Sequence, residues 1–250
     1  MSNYNLGLVS ITFRDKTPEE ILSAMKDTGL SFIEWGSDVH APKDDIERLE
    51  GIAALQKKYN VICSSYGTYF RLGVTPINEL EGYINAAKIL GTNILRLWCG
   101  DKNSQDYSIG EKEALFFTCK KAKDIAEKHN AILCMECHNS TYTNKKDSAV
   151  ELMNAVNSEA FKMYWQPNQL CSFEENLAYA KAISACSKHI HVFNWNGEEK
   201  FPLISGIDMW QKYLECFNND KVLLLEFMPD NRIESLKSES DALRKIVGVK

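Results

Sequence analysis

GEKEALFFTCKKAKDIAEKHNAILCMECHNST, residues 110–141, changes its hydrophobic period partway through. Up to His129 the apolar residues recur at intervals of three and four, the spacing of an amphipathic helix. From Ala131 a short apolar run begins, and in an extended chain alternate side chains share a face. Cys134, Glu136 and His138 then project to one side, and Leu133, Met135 and Cys137 to the other. A helix that runs straight into a buried strand is part of a parallel α/β unit, and this strand ends by aiming a carboxylate and an imidazole the same way. Burying an unpaired carboxylate is costly, so Glu136 is placed there for a purpose.

The same unit recurs along the chain. Strand-type runs stand at 6–12, 31–35, 60–66, 93–98, 131–136, 161–166, 189–194 and 222–227, and helical patterns such as 17–29, 44–59, 77–91 and 110–129 lie between them. Thr17-Pro18-Glu19-Glu20 supplies a cap, a proline at the first helical position and acids in the first turn, while Gly29 and Gly91 fall where helices should stop. Strands separated by helices imply a parallel sheet, and eight repeats in 250 residues match a (β/α)8 TIM barrel, an α/β fold, as a single domain over residues 1–250. An open doubly wound sheet is the alternative, but no G-x-G-x-x-G loop supports it.

Composition narrows the function. A net charge of −5 offers no basic stripe for phosphates, so nucleic acid is not expected as a partner. The longest apolar runs fall far short of the roughly 20 residues a membrane span needs, and no signal-peptide pattern opens the chain; a cytoplasmic location is the resulting expectation. The eight cysteines, scattered through apolar stretches, read as reduced core residues. Cys134 and Cys137 are nominally a C-x-x-C pair, yet three residues apart on a strand they face opposite sides.

In a barrel the C-terminal strand ends converge on one mouth, where chemistry occurs. Here those ends are polar: Arg14; Glu34, Asp38 and His40; Tyr66; Arg96 and Trp98; Glu136 and His138; Gln166 and Asn168; His191 and Asn194; Glu226. Four successive ends offering Glu136, Gln166, His191 and Glu226 suit one divalent metal ion of the Mn, Mg, Co or Zn kind.

Several of these passages carry a resemblance. LCMECHNSTYT (133–143), MYWQPNQ (163–169), HIHVFNW (189–195) with FPLISG (201–206) after it, and LLLEFMP (223–229) resemble the last four strands of the xylose isomerase-like TIM-barrel superfamily, which includes sugar isomerases, epimerases and endonuclease IV. FIEWGSDVHAP (32–42) and ILRLWCGDK (94–102) extend the likeness over most of the chain. The resemblance implies a metal held by Glu136, Gln166, His191 and Glu226, with Gln166 where the family usually has Asp. It also implies a keto-sugar isomerase or epimerase that moves a proton next to a carbonyl through an enediolate, with Glu136 and Glu226 as the acid/base pair. Replacing Asp by Gln leaves a ligand set of charge −2 in place of −3; Gln169 also stands near a position where the family often has His.

Around that set, His40, Tyr66, Arg96, Trp98, His138 and Asn168 are candidate contacts for a small sugar substrate. Each has a plainer alternative: an inward Arg96 often pairs with a neighbour such as Glu34 or Glu136, His138 can orient a ligand, and Tyr66 and Trp98 can fill core. A lyase or hydratase on 3-keto sugars or glycosides would use the same proton abstraction, and a non-catalytic sugar-binding barrel would use only the cavity. A three-zinc nuclease is disfavoured, because the chain has five histidines in all. A second copy of the chain is a further candidate partner.

Overall fold

The computed structural model describes residues 4–248. Its eight main strands are β1 (Asn5–Val9), β2 (Phe32–Gly36), β3 (Ile62–Leu72), β4 (Ile94–Cys99), β5 (Ile132–Glu136), β6 (Phe161–Trp165), β7 (Ser187–Val192) and β8 (Val222–Leu225). All pair in parallel and in chain order; Leu8 of β1 stands opposite Ile33 of β2 on one side and Leu225 of β8 on the other, which closes the barrel. Outside it lie α1 (Pro18–Met25), α2 (Ile46–Tyr59), α3 (Leu80–Ile89), α4 (Ile109–Lys128), α5 (Lys146–Val156), α6 (Phe173–Ile183), α7 (Ile207–Leu214) and α8 (Leu236–Ile246). A two-stranded ribbon pairs Trp195 with Lys200 and Asn196 with Glu199 above β7. Among the described residues no helix is long and apolar enough to cross a membrane.

Local chemistry sets the helix ends. Thr17, Ser108 and Ser172 each accept from the backbone three residues on, and Glu20, Glu111 and Glu175 reach back to the cap, so α1, α4 and α6 start with reciprocal capping boxes. α2 and α5 end on Asn60 and Asn157 in the left-handed conformation, a role Asn fills because its short polar side chain tolerates positive φ.

Alternation along the strands divides the core in two. Leu133 and Met135, Leu95 and Leu97, Ile190, and Leu223 and Leu225 belong to the large apolar layer packed with the helices. Cys134, Tyr164, Val222 and Leu224 form a smaller cluster with Val9 and Ile11 inside the barrel. The inner set therefore shares its strand faces with Glu34, Arg96, Glu136 and His191, all buried.

Two strands depart from the expected spans, and one pairing shifts register. The β-type run over 6–12 ends at Val9 and continues as a 3-10 turn over Ser10–Phe13, whose four residues are all buried. β3 extends to Leu72, well past 66. A register shift between Ile33 and Glu34 sets Glu34 opposite Ser65 and Trp35 opposite Tyr66, so Tyr66 shares the outward side of Trp35.

Burying Trp35 under α2 requires a partner for its indole N–H. Gln56 accepts that N–H at 2.7 Å and donates its own amide to the Leu90 carbonyl at 2.9 Å, tying β2, α2 and the end of α3 together. Gln56→Leu preserves bulk but orphans both groups, so unfolding stability should fall by about 1–3 kcal/mol in urea titration with an unchanged m-value.

Candidate functional site

The barrel mouth holds a cavity of about 280 Å³ whose floor includes Arg96, Glu136, Gln166 and Glu226. Three oxygens converge on one nitrogen there: His191 Nδ1 lies 3.0 Å from Gln166 Oε1, 3.2 Å from Glu226 Oε2 and 3.4 Å from Glu136 Oε1. One N–H cannot satisfy three acceptors. Donors held about 2.0–2.4 Å from an octahedral cation stand about 2.8–3.4 Å apart, so the spacing fits a shared ion. Glu136, His191 and Glu226 alone bring ligand atoms within 4.8 Å of one another, all buried. The residues present therefore suit a divalent metal.

Beneath this cluster runs a buried charge chain. Arg96 Nε donates to Glu34 Oε1 at 2.8 Å and its Nη1 to Glu136 Oε2 at 2.7 Å, with both carboxylates almost fully buried. Trp98 Nε1 donates to the same Glu136 Oε2. Glu136 is thereby fixed by two donors on one oxygen while its other oxygen faces His191. Ser65 completes the lower end, donating to Glu34 Oε2 at 2.8 Å. Gly67 makes room, because a Cβ there would stand 2.6 Å from Glu34 Oε1 and 2.8 Å from Arg96 Nη2.

Electrostatics derive from these contacts. Burial works against ionising Glu136, but Arg96 and His191 outweigh it and hold its carboxyl well below the usual carboxylate range. Burial likewise opposes Glu34, and Arg96 and His191 hold it well below the usual carboxylate range. Burial opposes charge on His191 too, yet Glu226 and Glu34 raise its pKa well above the ordinary imidazole value. Its Nε2 lies 3.5 Å from Glu34 Oε1, close enough for charge attraction but without hydrogen-bond geometry. With His191 neutral, as a metal ligand must be, Glu34, Glu136 and Glu226 set three negative charges against the one positive charge on Arg96. The difference is the charge that a divalent cation balances.

The other expected contacts divide. Trp98, His138 and Asn168 line the cavity with Arg96. His138 Nδ1 faces the Asn139 carbonyl at 2.6 Å; a carbonyl only accepts, so Nδ1 carries the hydrogen, and Nε2 has no protein hydrogen-bond partner among the described residues. Asn168 exchanges amide hydrogen bonds with Asn139, at 2.8 and 3.3 Å.

His40 and Tyr66 do not line the cavity. His40 is buried with Nδ1 3.0 Å from Ser10 Oγ and Nε2 3.1 Å from the Lys16 carbonyl, so both nitrogens are spent on the 3-10 turn and the segment after it. Tyr66, turned outward by the β2–β3 register shift, donates to the Ala41 carbonyl. Trp35 and Trp165 also face the helix layer.

Sequence reasoning missed Tyr69, Phe193 and Phe227, which wall the cavity. Tyr69 lies on the unanticipated extension of β3. Phe227, directly after Glu226, has φ +58, a conformation costly for an aromatic residue; its N–H donates to Thr12 Oγ1 at 3.1 Å and its ring meets Trp195 at 5.2 Å. No composition or periodicity signal marks such a turn.

A family model described as xylose isomerase-like TIM barrel matches residues 22–246. A 3-dehydroshikimate dehydratase of Bacillus anthracis is 24% identical over 189 residues, covering 67% of each chain. The crystal structure of a probable 3-DHS dehydratase involved in petrobactin synthesis, also from Bacillus anthracis, superposes with a TM-score of 0.81 at 19% identity, covering 96% of this chain and 98% of the other. The crystal structure of the IOLI protein with a bound zinc atom superposes with a TM-score of 0.77 at 16% identity, covering 98% of each chain.

The charge count generates a test. Gln166→Asp adds a third carboxylate to the ligand set and should tighten Mn2+ binding at least about tenfold in titration calorimetry. An unchanged affinity would remove Gln166 from the ligand set.

Proposed function

The chain belongs to the xylose isomerase-like TIM-barrel family, and from that premise we propose that it is a divalent-metal-dependent enzyme that removes a proton next to the carbonyl of a keto sugar. A divalent ion held by Glu136, Gln166, His191 and Glu226 supplies positive charge to a carbonyl oxygen and so acidifies the adjacent C–H. The protein's own groups then decide the fate of the proton.

The observation that carries the reading is the inequality of the two carboxylates. Glu136 is clamped by Arg96 and Trp98, two donors on one oxygen that favour its ionised form, which makes it a poor proton carrier near neutrality. Glu226 has no arginine or indole hydrogen-bond partner among the described residues; its close polar neighbour is His191. Glu226 is thus the base, and Glu136 is a fixed ligand. Epimerisation through two alternating carboxylates would require Glu136 to take and release protons against Arg96, so a single-base reaction is favoured.

Two outcomes remain for one base. Return of the proton to the neighbouring carbon gives isomerisation. Loss of a β-oxygen substituent gives elimination, in which the C–H proton passes to Glu226, the C–O bond breaks with its electron pair leaving on oxygen, and that oxygen takes a proton from the imidazolium form of His138 at Nε2. Elimination is supported by the placement of His138 on the same cavity wall, with Nδ1 already committed to Asn139, and by the likeness to a dehydratase.

Glu226→Gln should lower turnover at least about a thousandfold while leaving the circular dichroism spectrum unchanged. Incubating keto sugars with the metal-loaded wild type in heavy water separates the outcomes: an unsaturated ketone absorbing in the ultraviolet indicates elimination, and deuterium uptake into an intact sugar indicates isomerisation. Neither signal across the panel removes the enzymatic reading.

A further inference from the structure

A second cavity, of about 470 Å³, adjoins the first on the β6–β7 side of the mouth, and Asn168, Gln169, Phe193 and Trp195 line both. We infer that the two form one bipartite site and that the second takes a neutral sugar ring, so that the substrate is a keto glycoside; this rests on the proton-abstraction reading of the first cavity.

Lining chemistry identifies the occupant. The first cavity presents Arg96, Glu136, His138 and Glu226, whereas no Lys, Arg, Asp, Glu or His among the described residues lines the second. A phosphate, nucleotide or carboxylate would find no charged side chain in the lining itself; Lys200 and Lys212 lie behind it, over the Trp195 and Phe173 rings at 4.8 and 5.7 Å. Instead Phe173 and Phe201 add aromatic surface over the buried Tyr213, and Asn196 adds an amide. A pyranose ring has an apolar C–H face that suits aromatic surface and a rim of hydroxyls that both donate and accept; amide side chains do the same.

Size agrees. Ligand sites commonly run about 300–1,000 Å³, so the first cavity alone sits at the lower limit, room for one small ring, while the second falls inside the range. Both are needed for two rings.

The shared wall is a built feature. Gly197 N–H donates to the Gln169 carbonyl at 3.0 Å, pinning the ribbon that carries Trp195 and Asn196 to the loop that carries Asn168 and Gln169. Asn194 is held by hydrogen bonds from its amide to the Pro202 carbonyl at 3.1 Å and to Ser205 Oγ at 3.0 Å. Asn196 is exposed beside the saddle, where its amide can reach a ligand. A glycosidic oxygen crossing that saddle joins a keto ring over Glu226 to a second ring among Phe173, Trp195 and Phe201.

In that arrangement the leaving group is the second sugar. The C2–H proton of a 3-keto glycoside passes to Glu226 as a C1–C2 double bond forms; the C1–O bond breaks, its electron pair stays on the glycosidic oxygen, and His138 protonates that oxygen. The products are an unsaturated keto sugar and a free sugar, with no oxidant or reductant consumed.

The experiment uses the metal-loaded full chain, with 3-ketoglucose and the 3-keto forms of maltose, cellobiose and sucrose as substrates, and unoxidised maltose, cellobiose and sucrose as binding probes in saturation-transfer NMR. Met209, half-buried at the edge of the second cavity and outside the first, gives the variant Met209→Trp that fills it; Phe201→Ala, at an exposed ring, removes one wall. At least one 3-keto disaccharide should exceed 3-ketoglucose at least about tenfold in kcat/KM, saturation should reach protons of both rings of the matching disaccharide, and both variants should erase the advantage while leaving 3-ketoglucose turnover unchanged. Equal kcat/KM for the one- and two-ring substrates, saturation of a single ring, or insensitivity to both variants overturns the second subsite and leaves the proton-abstraction reading standing. Two-ring saturation lost in Met209→Trp without turnover of any substrate overturns the reaction and keeps the subsite. Binding of no disaccharide overturns the subsite.

Discussion

Arg96 is the group on which the mouth depends. It lies inside the barrel with its side chain 3% exposed, bonded to one carboxylate below and another above. Removing one member of such a buried pair typically costs about 3–5 kcal/mol, because the partner is left charged and dry. Arg96 therefore justifies the burial of Glu34 and Glu136 together, and its geometry selects which Glu136 oxygen is left for a ligand. The ordering continues outward: Trp98 caps the same oxygen, Arg71 stacks on the Trp98 ring at 4.3 Å, and the His138 ring lies 5.3 Å from it. One guanidinium thus propagates rigidity from the barrel interior to the cavity wall, which is what a preorganised site requires.

Much of this was legible in the chain itself. The alternation in ILCMECHN placed Glu136 on the inner face, the strand–helix repeat specified a closed parallel barrel, and the pairing of Arg96 with Glu34 or Glu136 was an open alternative that the structure realises with both. What failed did so for local reasons. Tyr66 depends on a one-residue register shift, and a shift of one residue reverses the face of every side chain beyond it. His40 sits after the last paired residue of β2, where strand alternation no longer governs direction, and the 3-10 turn over Ser10–Phe13 captures it. Tyr69 was hidden because β3 runs to Leu72 through a stretch, GTYFRL, whose glycine suggests an end.

The two halves of the mouth differ in kind. β2, β4 and β5 contribute the charge chain, whereas the loops after β6 and β7 contribute amides and aromatic rings with no charge in the second cavity. Phe227 joins the halves: its positive φ turns the chain sharply after Glu226 and sets its ring against Trp195, itself 5.3 Å from Phe193. Backbone strain is held only where surrounding contacts over-determine it, and here, directly after Glu226, a hydrogen bond to Thr12 and a ring contact do so.

Barrel closure has a consequence for biogenesis. Glu226 comes directly after β8, the strand that bridges β7 to β1, and its backbone N–H donates to the Val192 carbonyl at 3.0 Å. Until that strand emerges from the ribosome, β1 and β7 present unpaired parallel edges, the condition in which nascent chains seek wrong partners. Sealing those edges and delivering the last carboxylate to His191 are one event. A translation intermediate that stalls short of residue 226 leaves both edges unpaired and the Glu136–His191 cluster without its last carboxylate.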